Sequence, residues 1–233
     1  MAPILCADCV AKSFKGRRVL TSASLRAESG QVRVLFGING SGKSTLMRIA
    51  AGLLQPDTGT VHFRDEPLER ARLDLLAPAG MFHLPDHDLL SPRFTIRTQL
   101  DMVVRRFHGG ATDEAAALTG LSERLDQYPH QLSGGETRRA ELALALVRAP
   151  LCLLADEPFR GVAPLDAEIL ARVFRELAGR GCAVVFTGHE VETLLSVADH
   201  VVWCTDETTY ELGPPAAARD HSRFRQLYLG RTA

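Results

Sequence analysis

The octapeptide "GINGSGKS", Gly37 to Ser44, constrains what this chain can fold into more than any other stretch. It follows the β-rich run "QVRVLFG" and opens a helical pattern, "STLMRIAAGLL", that ends at "QPDTG". A strand before and a helix after turn the spacing G-x-x-x-x-G-K-[ST] into a phosphate loop. Gly40 and Gly42 let the backbone approach phosphate oxygens. Lys43 reaches the β- and γ-phosphates, and the Ser44 hydroxyl ligates Mg²⁺. Gly37, Asn39, Ser41 and Thr45 complete the candidate nucleotide-binding loop. A purely structural glycine turn is outweighed by that context.

Two further stretches carry chemistry. "LCLLADEP" is an apolar strand ending in two carboxylates, so Asp156 can sit beside a Mg²⁺ shell and Glu157 can polarise an attacking water. "LSGGETRRAELALAL" puts Ser133, Gly134 and Gly135 before apolar residues at helical spacing, which builds a second anion site at a helix N-terminus.

Residues 4–36 read as short strands with turns at Lys15-Gly16 and Ser29-Gly30, and "GTVHF" as another strand. From about residue 95 to 131 strand alternation stops, and helices are predicted over Ile96–Phe107 and Asp113–Gly120. After Leu151 the alternation resumes: "LCLLADEP", a helix over Leu165–Ala178, "CAVVFTGH", a helix over Glu190–Ala198, and "HVVWC". The expected fold is α/β, a P-loop NTPase with a mainly parallel sheet, an N-terminal antiparallel β part and an inserted α-helical subdomain. One domain over 1–233 would divide into a core lobe, about 1–86 and 151–233, and a helical lobe, about 87–150, that carries the Ser-Gly-Gly turn.

Lys and Arg number 27 against 28 Asp and Glu, so the charge balance calls for neither a nucleic acid nor an anionic membrane surface. The longest apolar run, "LALALVRAPLCLLA", is broken by Arg148 and Pro150, and "MAPILCADCV" does not read as a signal peptide. A cytoplasmic protein that meets the membrane only through a partner is expected. Five cysteines suggest reduced thiols. The Cys6–Cys9 pair lies in a strand-like segment with no second pair, so a metal or redox role is outweighed.

"GINGSGKST", "LSGGE" and "LADEP", in this order and spacing, resemble the ATP-binding cassette (ABC) ATPases over essentially the whole chain. The resemblance implies ATP and Mg²⁺ as cofactors. It also implies two cassettes that meet head to tail, so that Ser133, Gly134, Gly135 and Glu136 close over ATP held by the partner's phosphate loop. Phe14 is similar to the family's adenine-stacking aromatic, with a core Phe on a strand as the alternative. His189, after "VVFTG", matches the switch histidine near the γ-phosphate. "ELGPP" resembles the family's closing turn. "LSGGETRR", "DEPFRGVAP" and "YLG" look most like the lipopolysaccharide-export and branched-chain amino-acid branch.

Two positions depart from the family pattern. Asp86 stands where the family has glutamine; its carboxylate can still ligate Mg²⁺, but it adds negative charge near the phosphates. A transition-metal cluster of His83, Asp86, His87 and Asp88 is the lesser alternative. Ala163 stands at an aspartate that couples the two sites, with Asp166 three residues on. The leading expectation is the ATPase subunit of a transporter, with a second cassette and a membrane permease as partners. Residues 86–97 would be the docking surface, with Leu89, Leu90 and Phe94 either exposed for it or buried as core. A soluble cofactor-assembly ATPase and a low-turnover regulatory subunit stand as alternatives.

Overall fold

The computed structural model describes residues 2–70 and 72–229. β1 (Leu5–Phe14) and β2 (Arg17–Ala27) form a hairpin closed at Lys15 and Gly16, whose φ values of 49° and 80° match the strand twist across a two-residue turn. β3 (Val32–Phe36) leads to α1 (Lys43–Ala50). β4 (Thr58–Phe63) returns antiparallel to β1, and β5 (Glu66–Pro67) pairs with β4. α2 (Leu73–Leu76) and β6 (Met81–Leu84) follow, then α3 (Ile96–Phe107), α4 (Thr112–Thr119) and α5 (Gly134–Arg148). The chain re-enters the sheet as β7 (Cys152–Ala155), then α6 (Pro164–Gly179), β8 (Ala183–Gly188), α7 (Val191–Val197), β9 (His200–Thr205) and β10 (Thr208–Gly213). α8 (Pro215–Asp220) and α9 (Ser222–Tyr228) complete it.

Among the described residues ten strands form one sheet, in the order β5-β4-β1-β2-β10-β9-β3-β8-β7-β6. The run β9-β3-β8-β7-β6 is parallel, and β5-β4-β1-β2 is antiparallel. β3, β7 and β8 are buried along their whole length, as parallel strands covered on both faces must be. Alternate residues of β3 go to opposite faces. Leu35 packs with Leu46 and Met47 of α1, while Val34 and Phe36 join Leu170 and Phe174 of α6. Ile96, Leu100, Ala116, Leu142 and Leu146 of α3, α4 and α5 belong to that second cluster too, so the helical segment is packed into the sheet's own core.

The fold class agrees with expectation; several elements differ. β1 and β2 are 10 and 11 residues long, not short, because pairing with each other and with β4 sustains them. α1 stops at Ala50, short of the apolar "AGLL". Gly52 turns left-handed at φ 69°, and the N–H groups of Leu53 and Leu54 both fold back onto Arg48 O. Sequence patterning missed β6, a four-residue strand whose pairing with β7 is non-local. Among the described residues no helix is long and apolar enough to cross a membrane.

Candidate functional site

The glycine loop lies at the C-terminal edge of β3, an inner parallel strand between β9 and β8, where doubly wound sheets bind ligands. Gly42 caps α1 with φ 102°, a conformation open to glycine, and a methyl group there would lie 2.6 Å from Leu20 Cδ2. No side chain caps α1, so its first N–H groups stay available to an anion. Lys43 is 5% exposed, and its ammonium donates to Gly37 O at 2.7 Å and Ile38 O at 3.2 Å. Burial pulls its pKa down, and Glu157, Cys204 and Asp156 push it back up. A cleft of about 730 Å³ opens over the loop. Asn39, Gly40, Ser41, Gly42, Lys43, Ser44 and Thr45 form its floor, and Phe14 and Glu157 lie on its walls with Arg17 and Arg18. Gly37 is buried at the foot of the loop. Phe14 is 43% exposed, so the core alternative for it falls.

Ser44 Oγ donates to Asp156 Oδ1 at 3.3 Å. Thr187, at the end of β8, joins the two carboxylate residues: its hydroxyl donates to Asp156 Oδ1 at 2.5 Å and accepts from Glu157 N at 2.9 Å. Sequence reasoning missed Thr187; the signal was a polar residue closing an apolar strand, "AVVFTG", and the structure buries it fully. Glu157 has φ 45°, and its side chain is 15% exposed. His189 Nδ1 lies 3.8 Å from Glu157 Oε1, so an imidazole stands beside the carboxylate that lines the cleft.

The oxygens of Ser44 and Asp156 suit a hard cation such as Mg²⁺, which takes few protein ligands and keeps phosphate and water oxygens. Among the described residues no three His, Cys, Asp or Glu side chains converge for a metal, which corrects the alternative of a cluster at His83, Asp86, His87 and Asp88. Asp86 turns its carboxylate to His87 Nδ1 at 2.6 Å. His83 lies nearer the site: burial pushes its pKa down, the fields of Asp156 and Asp86 oppose that, and its Nε2 is buried without a partner. All five cysteines are free.

The Ser133 turn lies outside the cleft that holds Lys43. Ser133 caps α5 in a reciprocal box. Its hydroxyl accepts from Glu136 N at 3.2 Å, and Glu136 accepts from Ser133 N at 2.8 Å, which with Arg124 holds the Glu136 carboxyl below its usual range. Gly135 is required by packing, since any side chain would run into the Asp166 carboxylate. At Gly134 a methyl group would meet nothing within 4 Å, so the fold itself does not ask for glycine there.

Asp166 Oδ1 lies 2.9 Å from Arg139 Nε, an ion pair that holds α6 against α5. Ala163 occupies the N-cap of α6 with no side-chain bond, at φ −66° and ψ 152°. Those angles suit a capping carboxylate. Ala163→Asp is therefore expected to stabilise the fold by about 1 kcal/mol, read as a raised midpoint in urea unfolding at unchanged slope. A lower midpoint would mean that the α6 N-terminus is already satisfied. Of the expected docking residues, Leu89 and Leu90 pack against the core, while Phe94 is 41% exposed.

A family model described as ABC transporter matches residues 20–160, a span that holds both the phosphate loop and the Ser133 turn. The chain belongs to the ABC transporter family. It is an ATP-binding cassette of that family, and its activity is ATP hydrolysis. It is 31% identical to the lipopolysaccharide export system ATP-binding protein LptB of Haemophilus influenzae, over 97% of each chain. It is 30% identical to LptB of Escherichia coli (strain K12), again over 97% of each. The zinc import ATP-binding protein ZnuC of Halorhodospira halophila is also 30% identical, over 97% of this chain and 83% of that one. Among solved structures, an ABC transporter cassette in its ADP conformation superposes with a TM-score of 0.86 at 22% identity, over 99% of this cassette and 100% of that one. That likeness speaks for the fold. Of the "YLG" triplet, Gly230 lies outside the described residues.

Proposed function

We propose that this cassette powers a membrane transporter of the kind its LptB relatives serve, by ATP-driven head-to-tail association with a second cassette, most simply a second copy of itself. The observation that carries this reading is the separation of two glycine-bearing helix N-termini. One, at Lys43, lines the cleft; the other, at Ser133, does not, and it carries a glycine at 134 that its own packing leaves unexplained. A second nucleotide-bearing chain accounts for both features. In this reading Phe14 stacks on adenine, the loop from Gly37 to Thr45 cradles the phosphates, and Ser44 and Asp156 hold Mg²⁺. Glu157 takes the proton of the attacking water, His189 steadies the γ-phosphate, and Ser133, Gly134, Gly135 and Glu136 act on the partner's ATP. Bound Mg²⁺ would neutralise phosphate charge. The cassette would lie in the cytoplasm, against the inner face of the membrane, with a permease on the 86–97 segment.

A mixing experiment tests the shared site. Lys43→Ala disables a chain's own phosphate loop, and Gly134→Val disables what it offers its partner. Each alone is expected to be nearly inactive, whereas an equimolar mixture recovers a fraction of wild-type hydrolysis through the one composite site that is intact on both sides. A mixture as inactive as its components sinks the shared-site reading. Recovery of the chain with an integral membrane protein from detergent-solubilised membranes tests the permease.

Asp86 is proposed as a third group acting on the metal, once nucleotide draws it from His87. Asp86→Gln is then expected to lower the Mg²⁺ concentration for half-maximal turnover and leave the maximal rate equal or higher, because one negative charge is removed beside the phosphates. An unchanged Mg²⁺ dependence puts Asp86 outside the site.

A further inference from the structure

The helix that begins at Ser133 carries a buried ion pair that nucleotide chemistry does not use. Arg138 Nη1 donates to Glu141 Oε2 at 2.7 Å, with side chains 10% and 3% exposed. Burial drives the Glu141 carboxyl upward, and Arg138 pulls it back. Two buried charges cost more than their attraction returns unless their remaining hydrogen-bonding capacity is filled. Here one stretch of backbone fills it. Arg138 Nη1 donates to Pro85 O at 2.9 Å, Arg138 Nη2 donates to Asp86 O, and Glu141 accepts from the Leu89 N–H.

Apart from the packing of Leu89 and Leu90 against the core, that stretch is not held by backbone pairing. Between Pro85 and Leu90, among the described residues, no backbone-to-backbone hydrogen bond forms, and Asp88 is left-handed at φ 62°. The next tether is again a side chain: Gln99 of α3 binds Ser91 N at 2.8 Å, Ser91 O at 3.1 Å and Phe94 O at 3.0 Å. The loop after β6 is thus fastened to helices rather than to the sheet that precedes it. A guanidinium spans two successive carbonyls as a planar fork, which an ammonium cannot do.

We propose that Arg138 and Glu141 are positioning residues that clamp the 85–89 loop to α5, so that the loop carrying Asp86 and the turn of Ser133 to Gly135 move as one body. A force on the loop is then delivered to the turn that faces the second cassette. The proposal rests on the two-cassette reading, and the test separates the two.

The test compares Glu157→Gln, which accumulates bound ATP, with the same chain carrying Arg138→Lys, Glu141→Gln or the paired Arg138→Met/Glu141→Leu. The paired exchange removes both charges together, leaves none buried alone and so keeps the fold. MgATP affinity is read from the fluorescence of Trp203, and dimerisation with ATP by sedimentation. Arg138→Lys and the paired exchange are expected to keep nucleotide affinity within about twofold while weakening dimerisation by at least about tenfold. Glu141→Gln keeps an acceptor for Arg138 and Leu89 but leaves the guanidinium without its counter-ion, so its dimerisation should fall between that of the parent and that of the paired exchange. Parent-like dimerisation in the paired variant overturns the clamp alone. An equal loss of nucleotide affinity and dimerisation also overturns it, since the pair would then only support the fold. If the parent itself does not dimerise with ATP, the two-cassette reading falls and the clamp falls with it.

Discussion

Glu157→Gln is expected to leave ATP bound and to lower hydrolysis by about 10²–10⁴-fold, the usual contribution of a positioned general base. The exchange is nearly isosteric, and the Glu157 N–H keeps its bond to Thr187 Oγ1, so the strand end that presents the side chain stays in place. The lost function is specific. An amide cannot take the proton of an attacking water, and the adjacent carboxylate, Asp156, is already held by Ser44 and Thr187. With chemistry stopped, nucleotide should accumulate and hold two chains together. Single-turnover hydrolysis checks the first effect, and sedimentation with and without ATP and Mg²⁺ checks the second. Hydrolysis within about threefold of wild type would remove Glu157 as the base, since a base's contribution is larger than that.

Lys43→Ala should weaken ATP binding by about 10²-fold or more, since each hydrogen bond to a charged group is worth roughly 1.5–3 kcal/mol and the ammonium can reach two phosphates. Lys43 is the buried cation of the loop, and Glu157 and Asp156 already feel its charge. Its loss leaves Gly37 O without this donor, while Ile38 O keeps the Ser41 N–H at 3.1 Å, so stability should drop as well. Lys43→Met, which keeps the buried stem, separates loss of charge from loss of packing. The chain has one tryptophan, Trp203, and its neighbour Cys204 donates to Ser41 O at 3.1 Å, so its fluorescence reports on the loop. Unchanged nucleotide affinity in either variant would refute the assignment of the loop.

The phosphate loop, the paired carboxylates and the Ser133 turn were legible in the sequence because each is local. A buried strand, a short loop and a helix start follow from contiguous residues, and backbone N–H groups at a helix start need no distant partner. Partner choice between side chains is another matter, because it depends on register across strands far apart in the chain. β7 and β8 pair Ala155 with Phe186, which sets the next residues, Asp156 and Thr187, side by side. No spacing in the sequence announces that contact. The same holds for Asp166, which packing assigns to Gly135 and Arg139, and for Asp86, whose carboxylate lies against His87. Leu89 and Leu90, open to either role in the sequence, are drawn into the core that α3, α4 and α5 share with the sheet. The sequence by itself determined which backbone segments could hold phosphate and metal. Only the tertiary structure decided which side chains meet there, because burial and non-local pairing outweigh any preference encoded in neighbouring residues.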